Sequence, residues 1–374
     1  MNGKNNNLIF IALLLVCLLS VFALNYFMLK DEMKNEQRYE IYHEETRDLV
    51  FIKLKLSKKY DFDKFVMGTS TTYSLFDPSR SELARLVVFS MTYREFYEYL
   101  KAYFKIHKET KTMFLPIEYH SFWDTVDVRE IPDFDGKMTL SPSEFAQLYF
   151  SISSTTNNLK KLFEKTKDYF EKEKLANDDG VFQIETYPIR RITVGKVSEQ
   201  RIRNDLRYWE QIIDFLQKND INIVCYIPPY NYLYLQDAMT PQNEKIINDV
   251  KALIVSKGVK IYDFTKKNKF NEEPLKTTFM YHDLIHPDFI YGNIIYEILS
   301  GQKDDKTLYR VITKDNLKEC NALSEKELQD YRQKYSAYIE EYLTYDNKDN
   351  SADRNYLRTT SSSDVPKDLQ KYLL

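Results

Sequence analysis

Apolar residues follow three rhythms along this chain. The first is one unbroken run, residues 8–29, which carries no charge and in which only Ser20, Asn25 and Tyr26 bear strongly polar groups. At a helical rise of about 1.5 Å per residue it reaches across a hydrocarbon core of about 30 Å, and so predicts a transmembrane anchor. A cleaved signal peptide is the main rival reading. Its apolar run is usually about 7–15 residues long and ends in small residues, whereas Phe22-Ala23-Leu24-Asn25 fits an A-x-A site poorly. A lipoprotein signal would use Cys17, but the bulky Val16 precedes it. Lys4 on one side and Lys30 and Lys34 on the other leave the orientation open by charge. A short tail before a first helix favours a body on the extracytoplasmic side.

The second rhythm is a set of short continuous apolar runs at 64–68, 86–90, 112–117, 221–227 and 259–264. Such runs suit strands buried on both faces. The third is helical spacing. Phe96, Leu100 and Phe104 share a face over 93–106, and Ile202, Leu206, Trp209, Ile213 and Leu216 share one over 199–218. Further helices are predicted at 243–256 and 287–299. Alternation of strand and helix implies an α/β fold with a mainly parallel five-stranded sheet covered by helices. Residues 121–197 break the rhythm and read as an insertion, helical around 142–170. The resulting layout is a short tail (1–7), an anchor (8–29), a charged stalk (30–60), a domain (61–303) and a C-terminal extension (304–374). In that extension, Ser324 with Glu327 three residues on suggests a capping box opening a helix over 324–343. Residues 346–365 are polar and read as a flexible surface segment.

Composition narrows the function. With 53 basic and 56 acidic residues the net charge is −3, which gives no basic excess for nucleic acid. A hydrophobic fraction of 43% supports a folded core. The three cysteines, Cys17, Cys225 and Cys320, form neither a disulfide framework nor a thiolate metal site.

Two places can carry chemistry. Val66-Met67-Gly68-Thr69-Ser70-Thr71-Thr72 puts Ser70 just past the carboxyl end of a predicted buried strand, the edge where open parallel sheets bind ligands. The alternative is an ordinary polar turn. His282-Asp283-Leu284-Ile285-His286-Pro287 holds two of the five histidines. Its D-x-x-H spacing lets Asp283 hold Nδ1 of His286 and leaves Nε2 to take a proton from a hydroxyl. The alternative is a helix start, with Pro287 at the first position and Asp288 at the positive end. A zinc reading of H-D-x-x-H fails because Pro287 disfavours helix at His286 and no third ligand is evident.

Gly68-Thr69-Ser70 after the first strand and Asp283-Leu284-Ile285-His286 after the last resemble the SGNH (GDSL-like) hydrolase superfamily over roughly residues 60–300. Ile227-Pro228-Pro229-Tyr230-Asn231, and the Gly292 six residues after His286, look like segments of its membrane-anchored members that modify cell-envelope polymers. Those include the D-alanyl-transfer protein of teichoic acid modification and exopolysaccharide O-acetylation proteins. The resemblance implies a three-layer α/β/α, flavodoxin-like domain with Ser70 as nucleophile, His286 as base and then acid, and Asp283 as orienting acid, working without cofactor or metal. It implies an O-acyltransferase or esterase, a polysaccharide or other envelope polymer as substrate, a multi-spanning membrane acyltransferase as partner, and a cytoplasmic-membrane location. The superfamily usually supplies oxyanion donors from a Gly after the second strand and an Asn after the third. Here Phe89-Ser90-Met91-Thr92 lacks the Gly, and Ile117-Glu118-Tyr119-His120-Ser121 lacks the Asn. The remaining oxyanion candidates are the backbone N–H groups of Ser70, Ser90 and Met91. His120 is a candidate for the missing donor's place, with an ordinary surface histidine the favoured reading. The other function in view is a non-catalytic scaffold that keeps the fold.

Overall fold

The computed structural model describes residues 3–34, 40–43, 48–58, 61–76, 83–88, 90–124, 139–150, 155, 156, 159, 181–186, 195–272, 280–281, 284–344 and 356–361. Their chain order begins with helix α1 (Gly3–Lys34), strand β1 (Glu40–His43), α2 (Asp48–Ser57), β2 (Lys64–Gly68), α3 (Ser70–Leu75), β3 (Leu83–Val88), α4 (Tyr93–Ile106) and β4 (Thr112–Pro116). A 3-10 turn (Tyr119–Phe122), α5 (Pro142–Phe150), β5 (Val181–Thr186), α6 (Glu199–Lys218), β6 (Asn222–Ile227), α7 (Tyr232–Ala238) and α8 (Pro241–Ser256) follow. The last are β7 (Ile261–Asp263), α9 (Lys269–Glu272), α10 (Phe289–Leu299), β8 (Arg310–Ile312), α11 (Leu317–Lys334), α12 (Ser336–Thr344) and β9 (Tyr356–Ser361).

The main sheet has the order β1-β3-β2-β4-β6-β7-β8. Every pairing is parallel except β7 with β8. β3 is buried at all its positions and β2 at all but Lys64, as strands covered on both faces must be. Helix α4 begins where its sequence says it should. Thr92 accepts from Glu95 N while the Glu95 carboxylate accepts from Thr92 N at 2.8 Å, a complete capping box. The helix then lays aromatic rings on the sheet, with Tyr103 stacked on Phe65 at 3.6 Å between centroids. Trp209 of α6 is fully buried and its ring lies 4.8 Å from that of Tyr93. Full burial of such side chains stabilises by roughly 1.5–3 kcal/mol each relative to exposure.

Several expectations are corrected. The sheet has seven strands, not five. Residues 40–57, expected to lie in a stalk, supply β1 at the sheet edge and α2, whose Val50, Phe51 and Leu54 enter the core. The second strand runs Leu83–Val88, starting and ending earlier than 86–90. The helix expected from Ser324 begins at Leu317 and breaks at Tyr335. Ser324 lies inside it and donates back to Cys320 O, and Glu327 pairs with Arg310 instead of capping. Part of the segment expected to be flexible forms β9, antiparallel to β5 of the insertion. Most of the remaining insertion lies outside the described residues.

Helix α1 is 32 residues long. Among the described residues no helix is long and apolar enough to cross a membrane. Helix α5 packs against α1. The buried Asn25 amide donates to Tyr149 O at 2.8 Å, and Phe22 meets the rings of Phe145, Tyr149 and Phe150.

Candidate functional site

The site is built outward from the end of β2. A Cβ on Gly68 would lie 2.0 Å from Thr72 Oγ1, so only glycine lets α3 fold this closely over its own strand. Thr69 occupies the N-cap position of α3 in extended conformation, yet its own side chain makes no capping bond. The cap comes from another strand. Glu118, just past β4, accepts from Thr69 N at 3.0 Å, Thr72 N at 3.3 Å, Thr69 Oγ1 at 3.0 Å and Thr72 Oγ1 at 3.1 Å. Its carboxylate is buried, and burial pushes its pKa up to about 7 against the pull of those four donors. Because β4 lies beside β2 in the sheet, a residue after one strand can hold the turn after the other.

His120 lies on the same turn as Tyr119. Its Nε2 is 2.6 Å from Thr69 Oγ1, and its Nδ1 is buried without a hydrogen-bond partner. Burial, and then the charge of the neighbouring His286, push its pKa down to about 3, so it is neutral at physiological pH. The expectation of an ordinary surface histidine is therefore corrected: His120 is half-buried and belongs to a Glu118–Thr69–His120 network at the residue before Ser70.

Ser70 is the first residue of α3 and is half-buried. His286 is also half-buried, in a segment fastened at several points. Tyr281 bridges Pro287, Asp288 N donates to Met280 O at 2.7 Å, and Asn231 N donates to Leu284 O at 3.1 Å. Asp288 caps α10, accepting from Ile290 N at 2.9 Å, so the helix starts one residue after that cap rather than at Pro287. Helix α10 lies against α3. A Cβ on Gly292 would come within 1.9 Å of Leu75 O, so the two helices meet backbone to backbone at that glycine. This contact joins the helix that begins at Ser70 to the helix that follows His286. Asp283 and His282 lie outside the described residues.

Of the oxyanion candidates, Met91 is buried and Ser90 is exposed. Ser90 has φ 52°, the left-handed conformation that glycine adopts freely. The backbone shape expected from a glycine after the second strand is thus present with a serine in it. Among the described residues no cluster of His, Cys, Asp or Glu is arranged to hold a metal ion.

A serine–histidine–carboxylate arrangement occurs elsewhere, at the ends of α2 and α4. Ser57 Oγ lies 2.6 Å from His107 Nε2, and His107 Nδ1 lies 2.8 Å from Glu109. Ser57 is wholly buried and its hydroxyl also lies 2.6 Å from Leu54 O, so this trio ties the end of α2 to the end of α4 and offers no nucleophile to a substrate.

No family model, curated protein or solved structure matches the chain. Sequence reasoning missed Glu118 and considered His120 only as a stand-in oxyanion donor, favouring an ordinary surface histidine. The available signal was an acid and an imidazole two residues apart, immediately past a predicted buried strand.

Proposed function

We propose that the chain is a membrane-anchored SGNH-type serine O-acyltransferase or esterase, with a three-layer α/β/α domain acting on a cell-envelope polysaccharide or polymer. The observation that supports the reading is the close approach of α3, which begins at Ser70, to α10, which follows His286, at Leu75 and Gly292. Ser70 Oγ attacks an ester or thioester carbonyl as His286 Nε2 takes its proton. The tetrahedral intermediate collapses, and the leaving group departs with the proton from His286. A sugar or polyol hydroxyl, or water, then gives its proton to His286, attacks acyl-Ser70 and releases the serine. Asp283 orients His286. Ser90 N–H and Ser70 N–H stabilise the oxyanion.

Location follows the same reading. Ile11, Leu13, Leu14, Leu15, Val16, Leu18 and Leu19 stand exposed on α1, as side chains facing lipid would. The domain then lies on the extracytoplasmic side of the cytoplasmic membrane, where a multi-spanning acyltransferase would deliver the acyl group.

One observation favours the second reading, a scaffold without activity. Glu118 stands where a neutral donor is expected, and its carboxylate, when ionised, opposes a developing oxyanion nearby. Acid quenching of the full chain with a thioester donor, followed by mass spectrometry of the Ser70 peptide, separates the two. An acyl group on Ser70, discharged faster when a polyol is added, supports transfer. Equal discharge with and without polyol supports hydrolysis. An unmodified Ser70 under all conditions leaves the scaffold.

A further inference from the structure

A cavity of about 130 Å³ lies beyond the carboxyl ends of β6 and β7, among α7, α8 and α11. Its wall includes Tyr119, Tyr232, Glu244, Lys251, Glu325 and Arg332. At roughly 30 Å³ per water, it has room for about four waters or one small organic ion.

Lys251 is the unusual member. It lies on α8 between the core residues Val250 and Ile254 and is 3% exposed. A buried ammonium is costly unless it is paired and hydrogen-bonded. Its Nζ meets one protein acceptor, Asn321 Oδ1, at 3.5 Å, the outer limit of a hydrogen bond. Among the described residues no carboxylate lies within ion-pair distance of it. The acids that act on it are Asp263 and, in the cavity wall, Glu244. Asp263 holds Arg310 at 3.2 Å and accepts from Thr265, and Glu327 holds the same arginine and accepts from Tyr232. Burial draws the lysine pKa down, and Asp263 draws it back up. An ammonium has three donors, and Asn321 takes one of them at the limit of reach, on a side chain that lines the cavity.

We infer that this cavity binds a small oxyanion, a short-chain carboxylate, through the Lys251 ammonium. Glu244 and Glu325 in the wall favour a singly charged carboxylate over a doubly charged phosphate. The occupant would rest against Tyr119, the residue between Glu118 and His120, and so brace the turn that carries them. The site stands on Lys251 and the cavity and does not depend on the reading of Ser70.

The test is isothermal titration of the full chain in mild detergent with sodium acetate, propionate and inorganic phosphate, at ionic strength matched with sodium chloride. Saturable carboxylate binding is expected, weakened at least tenfold in Lys251→Met and unchanged in Ser70→Ala. Equal binding by Lys251→Met overturns the proposal, as does displacement by chloride at the matched concentration. Tighter binding of phosphate than of acetate overturns the carboxylate assignment. The wild-type titration is decisive by itself if the variant fails to fold, because absence of saturable binding to all three anions overturns the site.

Discussion

Glu118 gives the candidate site a pH dependence that Glu118→Gln should remove. Its carboxyl pKa rises from the ordinary 4.5 to about 7 in the fold, because the carboxylate is buried among Thr69, Thr72 and the strand ends. The folded state therefore holds this proton more tightly than the unfolded state does. The contribution to stability is full below pH 4.5, falls as pH rises from 4.5 to 7, and is flat above. At about 1.4 kcal/mol per pKa unit, the loss across that window is about 3 kcal/mol. Glutamine cannot ionise, but it offers one acceptor oxygen to four donors, so the variant should be the less stable at pH 4.5. Urea unfolding of the full chain and of Glu118→Gln at pH 4.5 and pH 8 measures the difference. Between those pH values the variant should gain about 3 kcal/mol on the wild type. Parallel profiles for the two proteins would refute the assignment of a raised pKa to this carboxyl.

Gly292→Ala drives a methyl group into Leu75 O, so it should cost about 1–3 kcal/mol in chemical denaturation and lower any Ser70 reactivity by parting α10 from α3. Ser90→Gly relieves a left-handed serine and should raise stability by a few tenths to about 1 kcal/mol in thermal unfolding, with Ser70 reactivity retained. Trp209→Ala empties the centre of the α6 packing face and should cost about 3–5 kcal/mol by urea titration.

Much of the framework is readable from short-range pattern. Helices α4 and α6 begin and end where predicted because each carries its own cap, Thr92 with Glu95 in one and Ser198 in the other, ahead of a strong apolar periodicity. The Gly68–Ser70 turn is readable because a buried strand ending at glycine has few ways to continue. The misses have physical causes. β1 and β8 are four and three residues long, set among charged neighbours, and take strand form because a sheet edge is available to pair with. Ser324 has the spacing of a cap, but the helix propagates through it from Asn316, where the amide side chain is held by Thr313 and Val311. Glu118 and His120 act on a turn about fifty residues away in sequence, through the adjacency of β2 and β4. No local pattern carries that information, because it depends on the strand order.

The central claim is that Ser70 is a nucleophile activated by His286, and fluorophosphonate labelling of the full chain tests it most directly. The account predicts one labelled residue, Ser70, with labelling abolished in Ser70→Ala and slowed about 10³-fold or more in His286→Ala, both variants remaining folded. Labelling that is absent from the folded wild type, or that persists in Ser70→Ala, would contradict it.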